Sequence, residues 1–206
     1  LSYGSSYLHL ITNSIFGGTG VGEGNRALNG GGTAFFTSVI LSDSQFINNV
    51  ATNVGGGVYS GGGTPHIINS VFKGNTAAVN GGGLANYSWT VLNTSVFGGT
   101  GVGEGNSSLN GGAISSMAGG IHVLNSKFLN NTATTNGGAI YNNASTLRLI
   151  GDGGTVYFSG NKASGLSNAV WNNSTVYVNA GNGGQVVFDD KNTGGTWSNN
   201  NAIGAS

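Results

Sequence analysis

The chain has 206 residues, 37% of them hydrophobic, with six basic and six acidic residues and no net charge. Charged residues make up 6% of it, against roughly a quarter in an ordinary soluble domain. There is therefore no basic patch for a nucleic-acid backbone or an anionic membrane surface. No Cys is present, which removes disulfides, thiolate metal sites and cysteine nucleophiles together.

Gly (41), Asn (29), Ser (23) and Thr (18) supply more than half of the residues. Disorder does not follow, because β-branched and aromatic residues are spread evenly along the chain. No apolar run approaches the roughly 18 residues a membrane-spanning helix needs. Leu1 enters directly into repeat-like sequence with no visible signal peptide, so the chain is read as mature or shortened.

Taken in chain order, seven Phe residues mark a repeat: Phe16, Phe46, Phe72, Phe97, Phe128, Phe158 and Phe188, spaced by 30, 26, 25, 31, 30 and 30 residues. Phe16 is followed by GGTGVGEGN, ending at Asn25, and then by a Gly block from Gly30. Phe46 opens FINN and GGGV (55–58), and Phe72 opens FKGN and GGGL (81–84). Phe97 carries the same GGTGVGEGN string, ending at Asn106, before GGAI from Gly111. Phe128 opens FLNN and GGAI (137–140), and Phe158 opens FSGN and the degenerate SNAV (167–170). In the four uninterrupted repeats an Ala follows two residues after the Asn, at Ala51, Ala77, Ala133 and Ala163. The duplicated string reads as an insertion at one corner, spanning 17–25 and 98–106.

Before each Phe lies a segment of alternating apolar residues, such as PHIINSVF (65–72) and IHVLNSKF (121–128). Period-2 alternation rich in Val, Ile and Leu marks a strand, and the abundance of Gly and Asn excludes helix. About three short strands per repeat, separated by Gly- and Asn-rich corners, predict one coil of a right-handed parallel β-helix. The expectation is a single all-β domain over 1–206 with about seven coils. Equivalent positions then stack at about 4.8 Å. The seven Phe become an internal aromatic ladder, and Asn49, Asn75, Asn131 and Asn161 become a corner ladder. Ser14, Ser44, Ser70, Ser95 and Ser126, each two residues before a Phe, form a third.

FxxN followed by GGA[I/L/V], repeated in this way, resembles the passenger domains of chlamydial polymorphic outer-membrane proteins. It is also similar to adhesin-like bacterial β-helix proteins that share the motif. The resemblance runs from about residue 10 to about residue 175, and GGQVVFDDKNTGG (183–195) looks like the closing coils of autotransporter passengers. It implies an extracellular or cell-surface protein, associated with an outer membrane and serving as stalk, fibre or adhesin. The chain departs from the pattern where GGG or SNA replaces GGA. It holds no membrane barrel, so membrane insertion by this segment is not expected.

Chemistry is hard to find. Glycoside cleavage needs two carboxylates about 5 or 6.5–9.5 Å apart. Glu23 and Glu104 sit in equivalent loops three coils apart, an expected separation of about 14 Å. Asp189 and Asp190 are neighbours in a strand-like segment and point to opposite faces. Asp43 takes the corner slot held elsewhere by Asn13, Asn69 and Asn125. His66 and His122 occupy the same position two coils apart, about 10 Å, too wide for one zinc ion. GGTGVGEGN has Gly22 where a calcium-binding GGxGxD repeat needs Asp, and it precedes no helix, as a phosphate loop would require. No catalytic residue, metal ligand or cofactor is assigned.

Tyr59, Tyr141 and Trp171, and likewise Trp89, follow the Gly blocks. They either face outward, where they could stack on sugar rings, or pack inward. Residues 200–203 (NNAI) resemble the second-strand block and residues 1–11 resemble the strand that follows it. Copies could thus stack head to tail through a non-closing contact; alternatively the chain is a piece of a longer passenger. The expected function is a non-catalytic extracellular structural or adhesive β-helix, with copies of itself, a host or cell-surface receptor, or a glycan as partner. The alternative is a polysaccharide-binding or polysaccharide-cleaving β-helix.

Overall fold

The structure, a computed structural model, describes residues 9–20, 22–143, 145–190, 196–199 and 203–204. Among these residues the secondary structure is all β, wound as a parallel solenoid whose strands form four sheets of eight, eight, seven and six strands. One coil serves to describe all. Val39–Ser42 lies in the first sheet, Gln45–Ile47 in the second, Val50–Val54 in the third and Val58–Ser60 in the fourth. The chain then returns to the first sheet at His66–Ile68.

The parallel solenoid follows the sequence reading, but each coil holds four strands where three were expected. The segment read as one strand before each Phe is bent in two. Its corner residue adopts a left-handed backbone: Asn13 (φ 49), Asp43 (φ 51), Asn69 (φ 47), Thr94 (φ 51) and Asn125 (φ 46). Asn and Asp reach this region at low cost, and Asp43 takes the same turn as its Asn counterparts. The following Ser stabilises the bend. Ser44 Oγ donates to the Ser42 carbonyl at 2.8 Å and accepts the Ser14 N–H at 3.2 Å, a pattern that recurs at Ser70, Ser95 and Ser126.

Inside the second sheet the Phe rings pair in register from Phe16 to Phe188. Their centroids are 4.4 to 5.4 Å apart and their planes within 12° of parallel. Phe46, Phe72, Phe97, Phe128 and Phe158 are fully buried, with Leu41, Leu84, Ile114 and Ile140 completing the core from the other sheets. The third residue of each Gly block faces these rings. A Cβ on Gly57 would lie 3.0 Å from Phe72 Cδ1, and one on Gly83 2.8 Å from Phe97 Cδ1. The GGG coils therefore hold their rings tight against bare backbone, while the later coils admit Ala113, Ala139 and Ala169 at this place.

The Asn ladder runs at the next corner, through Asn49, Asn75, Asn106, Asn131 and Asn161, all fully buried. Asn75 shows the rung. Its Nδ2 donates to Asn106 Oδ1 (2.9 Å) and back to the Phe46 carbonyl (2.8 Å). Its Oδ1 accepts both the backbone N–H and the Nδ2 of Asn49, each at 3.0 Å. All four bonding positions of the amide are used. The last rung among the described residues is Asp190, whose Oδ2 accepts the N–H and Nδ2 of Asn161 at 3.1 and 2.8 Å.

The third corner needs a left-handed Gly, supplied by Gly30, Gly55, Gly81, Gly111 and Gly137 (φ 62 to 69). At the degenerate block the equivalent residue is Ser167, and the path changes. The chain turns back at Ser164 (φ 51) and Gly165 (φ 74), and Leu166–Ser167 pairs antiparallel with Lys162–Ala163. This end of the third sheet is thus covered by its own chain.

Replacing a mid-ladder amide leaves several buried groups without partners, at about 1–3 kcal/mol for each one left unpaired. Asn75→Ala is expected to lower the unfolding free energy by about 3 kcal/mol or more in urea titration. Asn75→Asp is expected to cost still more at neutral pH, because a buried carboxylate would face the Phe46 carbonyl and Asn106 Oδ1. That extra cost should shrink on acidification, when the acid can donate again.

Candidate functional site

With the interior committed to packing, the working surfaces are the outward faces and the two insertions. Both loops leave the second sheet at left-handed glycines, Gly17 (φ 94) and Gly98 (φ 89), and rejoin the lattice at Asn25 and Asn106. Each folds on its own Glu. Glu23 accepts the Gly20 N–H at 2.7 Å and Glu104 the Gly101 N–H at 2.9 Å. Each loop is also tied to the next coil, where Asn48 Nδ2 donates to the Gly18 carbonyl (2.9 Å) and Asn130 Nδ2 to that of Gly99 (2.8 Å).

This tether explains a sequence signal that the motif reading passed over. FINN and FLNN follow the two loop-bearing coils and supply the tethering Asn. FKGN and FSGN come one coil later, where a Cβ on Gly74 would lie 2.2 Å from Asn48 Oδ1 and one on Gly160 2.0 Å from Asn130 Oδ1. Glycine there makes room for the tether. The insertion, its Asn and the next Gly form one unit spread over three coils.

Between the loops lies a groove of about 470 Å³ over the second sheet, floored by Gln45, Ile47, Val71 and Lys73 and walled by Thr19 and Glu104. Lys73 Nζ and Glu104 Oε1 are paired at 2.9 Å across it. The hydrogen bond from Lys73, aided by that from Gly101, holds the Glu104 carboxyl below its ordinary value.

The expected surface aromatics lie on the fourth sheet. Tyr59, Tyr141 and Trp171 stand in one register row with Ala34, Ala85 and Ser115, of which Ala85 and Ser115 are buried; the three rings are the half-buried members. Each is half-buried, whereas the residues flanking it in its strand are buried. They fall into two groups. Tyr59 packs between Phe36 (centroids 5.7 Å apart) and Tyr87 (5.6 Å), and Tyr141 stacks on Trp171 at 4.6 Å. Trp89 lies over Gly120, where an added Cβ would come 2.5 Å from its ring, and meets His122 edge-on at 5.1 Å.

A buried polar network missed in the sequence lies inside this sheet. The last residues of its strands, Ser60, Asn86, Ser116, Asn142 and Asn172, align in one row. They bond across coils, for example Asn86 Nδ2 to Ser116 Oγ (3.1 Å) and Asn142 Nδ2 to Asn172 Oδ1 (2.6 Å). A Ser or Asn two residues beyond the end of each GGxV, GGxL or GGAI block was the available signal.

The histidines do not meet, and the carboxylates are engaged singly. His66 and His122 both pair in register with Val91, so one coil separates them. Asp189 accepts the Tyr157 hydroxyl, and Glu23 and Glu104 remain in separate loops. Among the described residues no three His, Asp or Glu side chains cluster as metal ligands. The expected stacking ends, 1–11 and 200–203, fall mostly outside the described residues.

Residues 43–61 and 125–143 match the family described as the Chlamydia polymorphic membrane protein repeat. The chain carries this repeat at two sites. Each matched stretch runs from a left-handed corner, Asp43 or Asn125, through the stacked Phe, the ladder Asn and the Gly corner to the fourth strand. Both matched stretches lie in coils that tether an insertion loop. No curated protein and no solved structure matches the chain.

His122 titrates below its ordinary value, first because it is partly buried and second because Arg148 is its neighbour. The unfolded chain therefore takes up this proton at higher pH than the folded one, and stability is lost as pH falls below about 6.5. Thermal melts between neutral and mildly acidic pH should show a falling midpoint, and His122→Gln should flatten that fall.

Proposed function

We propose that the chain is a non-catalytic, surface-exposed β-solenoid module of autotransporter type that acts as an adhesive or structural stalk through its side walls. The observation that carries this reading is the uninterrupted Phe and Asn stacking: it leaves the interior no room for a reactive group. The repeat match supports placement at the cell surface. The acidic residues are dispersed, and Glu23 and Glu104 each already bond a loop N–H.

Head-to-tail self-stacking draws less support. Beyond Lys162–Ala163 the third sheet is covered by Leu166–Ser167. Beads coated with the purified chain should adhere to cultured epithelial cells above albumin-coated beads, with no new reducing ends released from added polysaccharides. Beads that bind no better than albumin would remove the adhesive role, and sugar release would remove the non-catalytic one. Electron microscopy over a concentration series should show short rods; long filaments would restore self-stacking.

A further inference from the structure

Charge is not distributed evenly around the solenoid. The fourth sheet and the corner leading from it to the first sheet comprise 33–38, 58–65, 84–88, 114–119, 140–145 and 170–174, and contain no Asp, Glu, Lys or Arg. The charged residues sit elsewhere: Lys73 and Lys127 in the second sheet, Arg26 and Lys162 in the third, Arg148 and Asp152 in the first. The same uncharged wall and its exit corner hold Phe36, Tyr59, Tyr87, Tyr141 and Trp171, and Trp89 opens the adjoining strand of the first sheet. Phe36 is 68% exposed and Trp89 38%.

These rings are held in place from below. A Cβ on Gly61 would lie 2.5 Å from Tyr59 Cε1 and 3.1 Å from Phe36 Cδ1, so both rings rest on bare backbone. Gly120 does the same for Trp89. Polar groups able to orient a ligand stand beside them, including Asn143 and the exposed Asn173, joined at 3.1 Å. The rows run along the solenoid axis at about the strand spacing of 4.8 Å.

We propose that this wall is a binding site for neutral glycan chains, a proposal that rests on the reading of the side walls as the working surface. An uncharged wall of one exposed and four half-buried aromatic rings offers a polyanion no ion pair and no counterion release. It suits a ligand with apolar C–H faces and hydroxyl edges, which is what an uncharged pyranose chain presents. Rings fixed on strands lose little side-chain freedom on binding, and Tyr and Trp add polar tips beside apolar bodies. A linear sugar polymer laid along the axis would meet aromatic stations at Phe36–Tyr59–Tyr87 and again at Tyr141–Trp171. A protein partner is the competing occupant.

The test titrates the full chain by calorimetry with hexamers of glucose, N-acetylglucosamine, mannose and galactose, with heparin as the polyanionic control. At least one neutral hexamer should bind and keep its affinity in about 0.5 M salt, where exposed charges are screened. Tyr59→Ala or Trp171→Ala should weaken it by about tenfold or more, while Lys73→Ala should not. Tyr59→Leu, which keeps an apolar side chain but no ring, should lose affinity like Tyr59→Ala, with circular dichroism confirming the fold. Binding of heparin alone, or of no hexamer, overturns the proposal. If hexamers fail yet coated beads still adhere, and Tyr59→Leu abolishes that adhesion, the wall binds protein and only the glycan assignment falls. If neither binds, the adhesive reading falls with it.

Discussion

The amide ladder is the constraint on which the rest of the molecule depends. Each mid-ladder Asn (Asn75, Asn106 and Asn131) gives two hydrogen bonds and accepts two, and every bond but the one to a Phe carbonyl involves the neighbouring rung. A coil that slipped by one residue would remove its Asn from the stack and also turn its Phe to the outer face. Amides and rings therefore enforce the same register from two sides of one corner. The left-handed residue just before each uninterrupted rung, Asn48, Gly74, Asn130 or Gly160 (φ 53 to 69), aims the amide inward. Because the amide donates forward and accepts backward, the ladder has a direction, and Asp190, which accepts from Asn161, is its last rung among the described residues.

The inward lattice was readable because it repeats. Phe spacing, the Asn three residues later and the Gly block six residues beyond that are local and periodic, so one sequence displays the pattern several times. The division of the pre-Phe segment into two strands was hidden, because the alternation does not stop at Asn69 and Asn125 but changes phase there, from Ile67 and Val123 inward before the bend to Ser70 and Ser126 inward after it. The buried row closing the fourth strands was less plain, since it mixes Ser and Asn: Ser60, Asn86 and Ser116 share only their offset of two residues from the Gly block, and register aligns them.

The outward features were less legible for a different reason. A side chain that faces solvent is free to vary from coil to coil, so no period announces it. Tyr59, Tyr141 and Trp171 were singled out by position after the Gly block, but that left open whether they faced in or out. Phe36 and Tyr87, which complete the aromatic station around Tyr59, lie one residue past the strand and fit no repeat. The absence of charge on this wall is visible only once six separated segments are brought side by side.

The insertions show how such a lattice admits novelty without losing coherence. A loop of eight residues between Gly17 and Arg26 breaks the local spacing, yet the chain re-enters the rung pattern at Asn25, whose N–H meets Asn49 Oδ1 at 3.1 Å. The neighbouring coil then supplies a tethering Asn, and the coil after that gives up its side chain to Gly. The cost of holding a projecting loop is thus shared among coils, each of which keeps its Phe and ladder Asn unchanged. The loops, their tethers and the glycines that make room for them all sit at positions that the Phe and Asn stacks do not use.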